Sequence, residues 1–205
     1  LAVVFTHPQE AVEDLRSAFQ RSEARLTLAK VLGFLGQPDG VAELVGALDA
    51  AEFDAKILQG RMAEYAHLPT PVDALILALG YGGDSRALDP ILRKVEQLDA
   101  ETTLSHHRSV ALALENLGVP EACQPLARLL AKPGMSWHAM ARIEPLHNHP
   151  VERRRREGPL REIVLARALY RCGDWDGVAA RILESYCHDL RGLFRRHASS
   201  VRNTH

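Results

Sequence analysis

No stretch of this 205-residue sequence approaches the roughly 20 consecutive apolar residues that a membrane-crossing helix needs. The opening LAVVF is too short for a signal-peptide core and has no basic flank. Cysteine is scarce. Cys123, Cys172 and Cys187 are odd in number and lack metal-type pairing, which favours buried thiols over a disulfide framework. Neither sign of charge is in excess: the net charge of −1 provides no whole-chain field to draw in nucleic acid or an anionic membrane. Low hydrophobicity is also missing, since 46% of residues are hydrophobic, enough to argue against wholesale disorder. An initiator Met is absent as well, which points to an excerpt of a longer protein or to a processed chain. A chain of this length fits one domain or one repeat array and can bury roughly 70% of its unfolded surface.

What is present is a recurring helical hairpin. In Pro71–Asp99, Leu75, Ile76 and Leu79 and then Leu88, Ile91, Leu92 and Val95 fall at three/four spacing, so two helices each carry one apolar face. When Gly36, Gly83, Gly118 and Gly173 are aligned as turn glycines, the same pattern repeats. Leu32, Leu79, Leu114 and Leu169 lie four residues before them. Leu28, Leu75, Val110 and Leu165 lie eight before. Val31, Ala78, Ala113 and Ala168 lie five before, small enough for helices to approach closely. Val41, Leu88, Cys123 and Val178 lie five after. Each hairpin buries its open face only against a neighbour, so the expected fold is all-α, an α-solenoid of about four hairpins. Glycine spacings of 47, 35 and 55 residues place insertions between hairpins one and two and between three and four. In the last hairpin the second apolar face slips to Ile182, Leu183 and Tyr186, as in a capping repeat.

Residues 1–21 read as an N-terminal helix linking to an upstream region, with Thr6-His7-Pro8 as its start. Residues 22–205 read as the repeat domain, with repeats at about 22–50, 71–99, 105–132 and 159–199 and insertions at 51–70 and 133–158. Ser22 is the expected N-cap of the first repeat, Thr70 with Pro71 and Asp73 of the second, and Ser105 of the third.

The pattern resembles HEAT repeats of the short kind found in phycobilin-lyase-like proteins, over roughly residues 22–132 and 159–198. A narrower resemblance rests on SHHRSVALALE and LARALYRCGD, with PVDALILALG, PGMSWHA and YCHDLRGLFRRHASSV in the same order. These segments resemble the helical C-terminal region of bacterial FAD-dependent oxidoreductases. That resemblance implies a flavin-binding α/β part upstream of Leu1, and a cytoplasmic or exported bacterial protein. Within the chain itself, GFLGQPDG is the nearest glycine cluster. It lacks both the G-x-G-x-x-G spacing and a preceding strand.

Few residues carry chemistry. His106 and His107 at a helix start suit an anion or a partner, or else cap and pack. Trp137, His138, His147 and His149 cluster in GMSWHAMARIEPLHNHP. Three histidines suit zinc, but no Cys or acidic partner stands at metal-site spacing, so a packed Trp with solvated histidines is favoured. Arg153–Arg156 is a basic run flanked by Glu152 and Glu157 without aromatic interleaving, favouring a solvated loop over a phosphate-binding site. Asp73 reads as a capping carboxylate rather than an acid/base group. Phe53, Met62 and Tyr65 read as cover for the end of a repeat. No His-Glu dipeptide supports a helical-repeat hydroxylase.

The sequence therefore implies a chain with no catalytic, cofactor-binding or metal residues of its own. Its expected role is interdomain support or partner surface in a flavin oxidoreductase, presenting Asp73, His106, His107, Arg108, Trp137 and His138. The expected partner is the upstream FAD-bearing domain or another protein, not nucleic acid or membrane. The alternative is a free-standing repeat scaffold for protein–protein interaction.

Overall fold

A computed structural model of the chain describes residues 8–53, 69–142 and 153–203. Its elements are helices α1 (Pro8–Arg21), α2 (Arg25–Phe34), α3 (Val41–Ala50), α4 (Pro71–Gly82), α5 (Leu88–Glu96), α6 (Leu104–Leu117), α7 (Cys123–Leu130), α8 (Arg153–Cys172), α9 (Val178–Cys187) and α10 (Gly192–Asn203). Short 3-10 turns at Ser85–Ala87 and Pro120–Ala122 lead into α5 and α7, and no strand occurs among the described residues. The chain is all-α.

The turn glycines end the first helix of each hairpin. Gly83 and Gly118 occupy the left-handed region, at φ of 69° and 61°, where a side chain would strain the backbone. The aligned leucines Leu32, Leu79, Leu114 and Leu169 are all buried. The first helices pack in chain order, α2 on α4, α4 on α6 and α6 on α8, while α3 meets α5 and α5 meets α7. α1 covers α2, and α9 and α10 close the other end against α8.

Two of the helix-on-helix contacts use a glycine. A Cβ on Gly33 would lie 2.4 Å from the Ala78 carbonyl oxygen, and one on Gly80 would lie 2.3 Å from Ala113 Cα. Gly33 and Gly80 stand at the same place before their turn glycines and face the small residues Ala78 and Ala113 of the next helix. In the third hairpin that place holds Glu115. Its carboxylate bonds Arg167 (2.7 Å) and Arg171, which stand one residue before and three after small Ala168. A glycine-on-alanine contact is there exchanged for a carboxylate between two guanidinia.

Several helix starts differ from the sequence expectation. Thr70 does form a capping box with Asp73 ahead of Pro71. Ser22, however, is not the cap of α2: that place is Ala24, whose N–H donates to Ser22 Oγ at 3.0 Å. Ser105 lies inside α6, which starts two residues earlier than expected, with Thr103 as the boundary residue. Arg153–Arg156, expected as a loop, forms the first turn of α8, and Pro159 sits within that helix instead of opening it. α8 thus starts at Arg153, within the stretch 133–158. Met62, Tyr65, His147 and His149 lie outside the described residues.

Candidate functional site

A cleft of about 850 Å³ opens where the ends of α3 and α5 meet the start of α6. Phe53, Lys94, Asp99, Glu101, Thr102 and His106 are among its lining residues. At its inner edge Asp73 and His106 form a buried pair, 0% and 2% exposed. His106 Nδ1 lies 2.7 Å from Asp73 Oδ1, and the Thr70 N–H donates to Oδ2 at 2.8 Å. An ionised carboxylate only accepts, so this bond assigns the proton to Nδ1. Burial pushes the Asp73 pKa up, but hydrogen bonds from His106 and the Thr70 N–H outweigh it and hold it below the ordinary value. Phe53 lies tilted across the imidazole, with ring centroids 4.3 Å apart, and Lys94 Nζ sits 5.7 Å from the Phe53 centroid.

An aspartate that orients an imidazole is half of a catalytic relay, but the other half is missing among the described residues. No hydroxyl or thiol there hydrogen-bonds to His106, and Phe53 covers its ring. What the pair does is tie the start of α4 to the start of α6.

His107 is buried too. Its Nδ1–H donates to the Thr103 carbonyl at 3.0 Å, while Nε2 has no hydrogen-bond partner. Burial, with the nearby Arg161 guanidinium, pushes its pKa down to about 4, so it is a neutral core group at pH 7.

A different arrangement presents Trp137 and His138. Buried Glu162 accepts the backbone N–H of Trp137 at 2.7 Å, that of His138 at 2.8 Å, and the Tyr186 hydroxyl at 2.8 Å. Buried Asp189 accepts the Met140 N–H at 2.8 Å and bonds Arg191, which in turn donates to the His138 carbonyl at 2.8 Å. These two carboxylates pin residues 137–140. Trp137 is held at φ of 74° with its side chain 84% exposed. His138 is half-buried, with Nε2 at 3.0 Å from the Gly134 carbonyl, and its ring lies where a Cβ on Gly158 would clash.

The expected partner residues therefore divide. Asp73, His106 and His107 are interior and Arg108 and Trp137 are exposed, with His138 between. Glu162, Asp189 and Arg191 were not singled out from sequence, and Tyr186 was named only as part of an apolar face. A Glu on the apolar face of α8, among buried Ile163, Leu165 and Ala166, was the available signal.

The glycines do not fit a pyrophosphate cradle. Gly33 and Gly40 of GFLGQPDG are filled by Ala78 and Ala29 of neighbouring helices, and Gly83 and Gly118 end helices, where carbonyls rather than amides are free. Asp174 is likewise committed, accepting the Ala179 and Ala180 N–H groups at the start of α9. No group of three or more His, Cys, Asp or Glu side chains converges on a metal position among the described residues. No helix there is long and apolar enough to cross a membrane. No protein-family model, curated protein or solved structure matches the chain.

Proposed function

We propose that the chain is a non-catalytic α-solenoid of about four HEAT-like hairpins, acting as a support and docking surface for a flavin-bearing domain of an oxidoreductase. The observation that carries the reading is how the polar interior is spent. Asp73, His106 and Glu162 hold one helix to another, and Glu162 and Asp189 also hold the backbone of residues 137–140. The ordered contacts of first helix on first helix support the solenoid, because a repeat array buries its core only between neighbours. Trp137 supports docking, since it is exposed on a backbone held by Glu162 and tryptophans are common anchors of interfaces. The flavin partner rests on the resemblance of SHHRSVALALE and LARALYRCGD to that oxidoreductase region.

The test is to express the polypeptide encoded upstream of Leu1 and titrate it with this chain. Stoichiometric co-elution of a yellow complex is expected, with the colour carried by the upstream polypeptide. An upstream polypeptide that binds no flavin, or flavin bound by this chain alone, would overturn the reading in favour of a free-standing scaffold or a flavoprotein.

A further inference from the structure

We propose that the cleft between α4, α6 and α8 is a binding site for a small organic anion, a carboxylate or phosphate carrying a short aliphatic chain. The cleft measures about 410 Å³, within the range of small-molecule sites, which is roughly 300–1,000 Å³. It shares no lining residue with the Phe53 cleft and lies among the three packed first helices.

Its two halves are chemically different. Leu77 of α4, Leu112 of α6 and Val164 of α8 form apolar walls, each half-buried. Ser105 and Arg108 of α6 and Arg167 of α8 form the polar end. Positions 105, 108 and 112 share one face of α6 by helical spacing.

Positive charge is in excess at that end. Arg108 is exposed and makes no hydrogen bond or ion pair among the described residues. Arg167 gives its Nε–H to Glu115, but the same carboxylate also serves Arg171, so one acid faces two guanidinia. A guanidinium with free N–H groups recognises a carboxylate or phosphate through paired hydrogen bonds.

Ser105 also lines the cleft, but its hydroxyl is buried and serves Asp73, favouring that carboxylate's charged form. The polar contacts to an anion come instead from Arg108 and from the N–H groups of Arg167 that Glu115 does not take. The apolar walls then take the chain and exclude a simple inorganic ion as the best-fitting occupant. This site needs no second domain, so it goes beyond the docking role.

The test is calorimetric titration of the whole chain with hexanoate, hexyl phosphate, acetate and hexylammonium at low salt. The two hexyl anions should bind, acetate about tenfold or more weakly for want of the apolar contact, and hexylammonium not measurably. Whichever hexyl anion binds tighter identifies the head group. Arg108→Gln should weaken both by about tenfold or more and Arg108→Lys by less. Arg108 is exposed, so circular dichroism and melting temperature should stay at wild-type values. Equal binding of hexylammonium and hexanoate, unchanged affinity in Arg108→Gln, or no binding of either hexyl anion would overturn the site.

Discussion

Replacing Asp73 separates a bond that builds the fold from one that performs chemistry. The carboxylate, fully buried, accepts hydrogen bonds from the Thr70 N–H at 2.8 Å and His106 Nδ1–H at 2.7 Å. Asp73→Ala removes both. Loss of the capping interaction costs roughly 0.5–2 kcal/mol, and stranding the buried Nδ1–H adds roughly 1–3 kcal/mol. Together these give about 2–5 kcal/mol. Asp73→Asn keeps the shape. Its amide oxygen can accept from Thr70 and its NH₂ can donate to Nδ1 once the imidazole proton moves to Nε2. What is lost is the charge assistance, about 1 kcal/mol. Urea unfolding at pH 7 should therefore show a large fall in midpoint for Ala and a small one for Asn, with slope unchanged in both. The pH dependence has a definite sign. A carboxyl whose folded pKa is depressed contributes stability above its ordinary value and loses it as pH falls through the folded value. The gap between wild type and Asp73→Asn should close in acid. Equal midpoints for Ala and wild type would refute the reasoning, because they would mean that the pair holds nothing together.

Three further outcomes follow from the interior. A buried His107 that titrates near 4 resists protonation that the unfolded chain accepts near 6.5, so about 3 kcal/mol of stability is lost as pH falls between those values. His107→Leu should flatten that slope in pH-dependent unfolding, and a retained slope would exonerate His107. Gly80→Ala places a Cβ 2.3 Å from Ala113 Cα and should cost about 1–3 kcal/mol, whereas Gly46→Ala, exposed within α3 with nothing within 4 Å, should gain about 0.5–1 kcal/mol. Thermal melts that rank the two the other way would remove the close helix contact. Glu162→Gln replaces one of two accepting oxygens with a donating NH₂ among three donors, so amide exchange at Trp137 or His138 should be faster than in wild type by NMR, and unchanged exchange at both would refute the pinning.

Local chemistry made the helical hairpins legible. Glycine before a polar turn, leucine four residues earlier and the Thr70–Asp73 capping box are short-range signals, and all appear where the spacing places them. Three-dimensional pairing was less so. Gly33 and Gly80 carry no local signal of the close contacts they make with Ala78 and Ala113. α8 runs through Pro159, because proline costs an interior hydrogen bond without forbidding a helix that packing holds. The candidate partner set mixed two kinds of residue for a related reason. His106, His107 and Arg108 are consecutive on one helix, and only its rotation decides that two face the core and the third faces out. Glu162 was hidden because its partners are the backbone amides of Trp137 and His138, which no side-chain pattern announces.

The central claim assigns the buried polar residues to stability and the exposed ones to association, and titrating variants with the upstream-encoded polypeptide tests both at once. Asp73→Ala should lower the melting temperature while its folded fraction binds with wild-type affinity. Trp137→Ala should melt as wild type and bind about tenfold or more weakly, as expected for loss of an aromatic anchor. Wild-type affinity in Trp137→Ala, or lost affinity in folded Asp73→Ala, would contradict the account.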